Sequence, residues 1–153
     1  MTEQMSNGEI IAYYKADLER LARYIPWLQK IEGTAVSQSY GDNGVADHSI
    51  KFPVYDSTLL SFVREADKSC FMNRNYPYIY SWNRLNGMES ELTLIENATI
   101  RDMEKLGGIL SRYILGGRTK AKLWSDGATY GIYLAILEKA LELVAFWEGQ
   151  PME

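Results

Sequence analysis

The last stretch of the chain constrains its fold most. From about Ala128 to Glu148, Ile132, Leu134, Ile136, Leu137, Leu141, Val144, Ala145 and Phe146 fall around much of a helical circumference. A helix apolar on so many sides needs neighbours on most of them, so the spacing predicts a central helix wrapped by others. The same stretch is no membrane span, because Glu138, Lys139 and Glu142 interrupt the run from Tyr130 to Trp147.

Elements fit to surround it are legible upstream. Ser6 and Glu9 form a capping box, and Ile10, Ile11, Tyr14, Leu18, Leu21, Ala22 and Ile25 then make one apolar stripe. Lys15, Asp17, Glu19, Arg20 and Arg23 take the opposite face, and Pro26 ends or kinks the helix at Ile25. Residues 1–5 read as a frayed tail. Asp56 or Ser57 caps a second helix carrying Leu59, Leu60, Phe62, Val63 and Ala66. A short helical turn is predicted near Tyr80–Leu85 and a further helix over Glu89–Ala98. Thr99 and Asp102 then cap a helix bearing Ile100, Met103, Leu106, Leu110, Tyr113 and Ile114, which stops at Gly116-Gly117. Gly107-Gly108 weakens that helix by roughly 1 kcal/mol per glycine, so a close neighbour or a kink is expected there. Another short helix is read over Thr119–Trp124.

Between the first two long elements the pattern changes. Ala35–Tyr40 and Val45–Val54 flank Gly41-Asp42-Asn43-Gly44, and Ile50, Phe52 and Val54 alternate with Ser49, Lys51 and Pro53. This predicts a small β-hairpin over residues 35–54. With 153 residues, no internal repeat and no linker, the expected fold is one mainly α domain over 1–153, five or six helices with that hairpin.

Composition narrows the chemistry. A single cysteine, Cys70, admits no internal disulfide, and with one histidine, His48, most zinc sites are excluded. Asp42-Asn43-Gly44 lacks the remaining ligands of a calcium loop, so it reads as a turn and no metal or cofactor is expected. A Cys70–His48 dyad would be the one nucleophile–base pair of its kind, set against a buried thiol and a surface imidazole. Asp102 and Glu104 point to different helix faces, and Glu138 and Glu142 with Lys139 read as a solvated stripe, so no catalytic residue is assigned. The N-terminus lacks a basic and an apolar region of a signal peptide, which points to a cytoplasmic protein.

Two segments could bind. Arg112, Arg118, Lys120 and Lys122 gather around Gly116-Gly117, and from Thr99 to Trp124 six cations face two carboxylates. Cations beside helix-end amides suit phosphate or carboxylate, against the plainer reading of a solvated loop. In the second segment Arg74, Tyr76, Tyr78, Tyr80, Trp82 and Arg84 interleave rings with guanidinium groups. That pattern serves protein interfaces and single-stranded nucleic acid, and it also serves a core whose hydroxyls reach the rim. A helix-turn-helix over Thr119–Glu138 would put Asp126 at an apolar position and leave few groups to read bases. Leu141, Val144, Phe146 and Trp147 would serve a homodimer as well as a core.

The strings Ser6-Asn7-Gly8-Glu9-Ile10-Ile11-Ala12-Tyr13-Tyr14-Lys15, Phe52-Pro53-Val54-Tyr55-Asp56-Ser57-Thr58-Leu59 and Arg74-Asn75-Tyr76-Pro77-Tyr78, with Gly116-Gly117 and Thr119-Lys120, resemble a family of small proteins from Gram-positive gut bacteria and their conjugative elements. That family has no assigned activity, so the resemblance carries over no catalytic residue. It implies a bacterial cytoplasm and accessory genes on mobile DNA. The leading expectation is a non-enzymatic interaction or regulatory protein that binds a protein partner through its aromatic and basic segments. A nucleic-acid-binding accessory protein and a small hydrolase or transferase are the alternatives.

Overall fold

The computed structural model describes residues 6–31, 37–38, 54–55, 57–120 and 122–148. It is mainly helical, with eight α-helices among the described residues: α1 (Asn7–Ala22), α2 (Ile25–Ile31), α3 (Ser57–Asp67), α4 (Tyr76–Trp82), α5 (Met88–Glu96), α6 (Met103–Gly116), α7 (Lys122–Thr129) and α8 (Ile132–Glu148). A 3₁₀ turn over Ile100–Asp102 leads into α6. The five or six helices expected become eight because the punctuation cuts more often. The chain turns at Arg23–Tyr24 so that Pro26 falls in the first turn of α2, where its missing N–H costs nothing. Gly131, with φ at 77°, separates α7 from α8, and only glycine adopts that backbone freely.

α8 is central, as its apolar circumference demands: it packs against α1, α2, α5, α6 and α7. Ile132, Tyr133, Leu134, Ile136, Leu137, Ala140 and Val144 are buried, whereas Phe146 and Trp147 at its end stay on the surface. The core is partly aromatic. Tyr133 sits 4.7 Å from Phe62 and 6.1 Å edge-on from Tyr113, and its hydroxyl donates to the Trp124 carbonyl at 2.8 Å.

The capping box at Ser6 and Glu9 is present, with the Ser6 N–H donating to Glu9 Oε1 at 2.8 Å. Thr99 N–H donates to Asp102 at 2.9 Å at the head of the 3₁₀ turn. The hairpin expected over 35–54 is not seen. The described residues hold only a two-residue antiparallel pairing, β1 (Ser37–Gln38) with β2 (Val54–Tyr55). A tight turn at 41–44 would set Ser37 opposite His48, but Ser37 pairs with Tyr55, so the pairing does not follow from that turn. The turn itself, His48 and residues 1–5 lie outside the described residues.

Gly107 and Gly108 are where neighbours come closest to α6. A Cβ on Gly107 would stand 2.6 Å from the Phe71 carbonyl oxygen, and one on Gly108 2.5 Å from the Ile79 Cδ1 methyl. Close packing, not a kink, is the reason for the pair. Ser111 reinforces the same contact: its hydroxyl donates to Gly107 O at 2.7 Å and accepts from Asn73 N–H at 2.7 Å. Alanine at either position gains roughly 1 kcal/mol of helix propensity, but at Gly107 the obstacle is backbone and cannot rotate away. G107A is therefore expected to lower stability by about 1–3 kcal/mol, and G108A by less, since Ile79 has rotamers to use. Urea unfolding of the two variants measures the order.

Candidate functional site

The segment 74–84 is neither all core nor all surface. α4 has seven residues, too few to hold a helix alone, so its inner side must be pinned. Pro77 lies in its first turn, where proline is pre-organised for a helix. Ile79 enters the notch that Gly108 leaves on α6, and Tyr76 and Tyr80 are half-buried on the same inner side. The outer side carries Tyr78 and Trp82, one turn apart, 66% and 72% exposed. Their rings meet edge to face at 6.0 Å, and Pro77 and Ser81 beside them are also exposed. Trp and Tyr rarely stand this open without a use, because each wets a large apolar surface.

The end of α4 is unusual. Arg84 N–H donates to Ser81 O and Leu85 N–H to Tyr80 O, at 3.3 and 2.9 Å, the pair of bonds that closes a Schellman motif. The first of these two donors is normally glycine. Here it is Arg84 with φ at 55°, the one non-glycine residue with positive φ among those described. Such a residue costs on the order of 1–2 kcal/mol, strain of the kind that collects at functional positions.

A buried carboxylate holds the inner side. Glu91, from α5, is fully buried. Its Oε1 accepts from the Tyr113 hydroxyl at 2.6 Å, and its Oε2 from the Tyr80 hydroxyl at 2.6 Å and Arg112 Nη1 at 3.3 Å. The Arg112 guanidinium also lies over both rings, 5.7 Å from Tyr80 and 5.1 Å from Tyr113. Burial first, and the adjacent carboxylate second, push both phenols far above their usual range, so both remain donors. Sequence reading missed Glu91. Its signal was position: Met88, Glu91, Ile95 and Ala98 fall on one stripe, and a carboxylate on an apolar stripe needs partners.

The cations expected to converge around Gly116-Gly117 do not form one cluster. Arg112 belongs to the Glu91 network, Arg118 pairs with Asp67 at 2.6 Å, and Lys122 pairs with Asp126 at 3.0 Å. Lys120 is exposed. The amides of Arg118, Thr119 and Lys120 donate to the carbonyls of Leu115 and Gly116, and α7 starts only at Lys122. The loop is fastened further by Trp124, whose Nε1 donates to the Ile114 carbonyl at 2.9 Å. By contrast, Arg20, Arg23, Arg64, Arg101, Arg112 and Arg118 each donate to a protein acceptor, whereas Arg74 and Arg84 find none among the described residues. Those two arginines flank α4 in sequence, and Arg74 shares an open depression with Pro77 and Tyr78.

Other chemistry finds little support in the geometry. The Cys70 thiol donates to the Tyr13 carbonyl at 3.4 Å and burial raises its pKa, the opposite of an activated nucleophile. A groove of about 810 Å³ opens beside α5, but three of its polar side chains bond within its own wall. Ser90 donates to Gly87 O, Thr93 to Glu89 O and Asn97 to Thr93 O. No group of three or more His, Cys, Asp and Glu residues that could hold a metal occurs among the described residues. No helix among them is long and apolar enough to cross a membrane. The first turns of α8 cannot read a DNA groove, because Ile132, Tyr133, Leu134, Ile136 and Leu137 are buried there. No family model, curated protein or solved structure matches the chain.

Proposed function

We propose that this chain is a non-enzymatic, cytoplasmic protein-binding module whose recognition face is the outer side of α4. One observation carries the reading: Tyr78 and Trp82 are the two most exposed large apolar side chains described, and they are adjacent on a helix pinned from behind. Tyr, Trp and Arg are the residues that dominate binding energy at protein interfaces. A rigid support lowers the entropy lost when such rings are immobilised. A regulatory role on mobile DNA rests on the sequence resemblance alone.

Nucleic-acid binding draws less support. Single-stranded nucleic acid needs a continuous track of available cations beside the rings, and beyond Arg74 and Arg84 the candidates Arg112, Arg118 and Lys122 are each held by a carboxylate.

The test is capture from a Gram-positive lysate, with and without nuclease, on wild type and on the double variant Y78A/W82A. Both side chains are exposed, so the variant is expected to keep its helical circular dichroism and to shift stability by no more than about 0.5 kcal/mol per site. A protein retained by wild type, resistant to nuclease and lost in the variant is the expected result. Retention that ignores the variant, or that vanishes with nuclease, overturns the reading.

A further inference from the structure

We infer that the partner presents an acidic segment to α4, with an apolar side chain seated on Tyr78 and Trp82 and carboxylates reaching Arg74 and Arg84. This rests on the reading of α4 as a protein-binding face and adds the chemistry of what it binds. Three observations point to an anionic occupant. Among the described residues Arg74 and Arg84 have no acceptor, where every other arginine has one. An open depression of about 460 Å³ lies at one end of the face, walled by Arg74, Asn75, Pro77 and Tyr78, with room for an acidic side chain. Arg84 keeps a long cationic side chain where its backbone, at φ 55°, would be relaxed by glycine.

The two cations also give a spacing. At 1.5 Å per residue α4 is about 10 Å long, so the α-carbons of Arg74 and Arg84, just beyond its two ends, lie on the order of 15 Å apart. An extended peptide rises about 3.3 Å per residue, which puts the matching carboxylates roughly four or five residues apart around an apolar residue. The whole chain carries a net charge of -4, so an acidic partner is drawn to this face only at short range, by Arg74 and Arg84 themselves.

The probe is a phage-displayed library of random 12-residue peptides, selected on wild type and counter-selected on Y78A/W82A. Enriched peptides are then synthesised with a fluorescent label and titrated by anisotropy. Peptides with two acidic residues flanking an apolar one are expected, binding roughly tenfold more weakly to R74E/R84E and losing affinity as salt is raised. R84G is expected to fold at least as stably as wild type yet bind less well, which separates the charge from the strain. Enriched peptides without acidic residues, still dependent on Tyr78 and Trp82, overturn this inference and leave the binding face standing. Absence of any peptide dependent on those rings takes both down. Labelled dT20 bound by wild type and lost in R74E/R84E assigns the face to nucleic acid and overturns the inference. A dimer in sedimentation equilibrium that dissolves in Y78A/W82A assigns it to a second copy, with the same consequence.

Discussion

Glu91→Ala is expected to destabilise the protein by about 3 kcal/mol, far more than any surface charge change. The carboxylate is fully buried and takes three donors, from α4 and α6. Removing it orphans the Tyr113 and Tyr80 hydroxyls and leaves Arg112 without its counter-charge. The guanidinium side chain is 38% exposed, so water recovers part of its loss and the effect sits at the lower end for a broken buried pair. E91Q keeps the volume and an acceptor, and is expected to cost less than E91A. Denaturant unfolding of both variants gives the order. The loss should be local first: amide exchange in 76–85 should quicken before that of α8, because Tyr80 is one of the inner-side residues that hold α4 to the body.

Tyr133→Ala is expected to be of similar size, about 3–5 kcal/mol, for a different reason. Tyr133 is wholly buried at the start of α8, between Phe62 and Tyr113, and fills the space that Gly127 leaves open. Truncation leaves a ring-sized void that touches α3, α6 and α7 at once. It also frees the Trp124 carbonyl that the hydroxyl satisfies. Y133F isolates that last contribution and is expected to cost about 1 kcal/mol. Thermal unfolding followed by circular dichroism distinguishes the two variants, and amide exchange should quicken across the whole molecule rather than at α4.

Features governed by periodicity and local capping were legible in the sequence. The stripe of α1, its Ser6–Glu9 box, the stop at Gly116-Gly117 and the central place of α8 each follow from spacing that a single helix determines. Gly107-Gly108 was legible as a place of close approach, though not what approaches, because Ile79 and Phe71 arrive from another part of the chain. α4 begins at Tyr76 and not near Tyr80, since Pro77 fits in the first helical turn. The hairpin reading gave too much weight to a local turn signal; strand register is set by tertiary packing that such a signal does not contain.

The candidate site was half legible. The residue types from Arg74 to Arg84 marked the segment, but which rings point outward depends on where α6 lies. Tyr80 and Trp82 are two residues apart, and one holds Glu91 while the other meets solvent. Arg112 looked like a surface cation because its partner, Glu91, lies 21 positions away on another helix. Long-range pairing of this kind leaves no spacing to read.

The most direct test of the central claim is hydroxyl-radical labelling of the free protein and of the complex captured with it. In the free protein Trp82 and Tyr78 are expected to oxidise readily and Tyr113 and Tyr133 hardly at all. In the complex Trp82 and Tyr78 should become protected while the buried pair is unchanged. Equal labelling of Trp82 and Tyr78 in both states, with protection appearing elsewhere on the surface, would contradict α4 as the binding face.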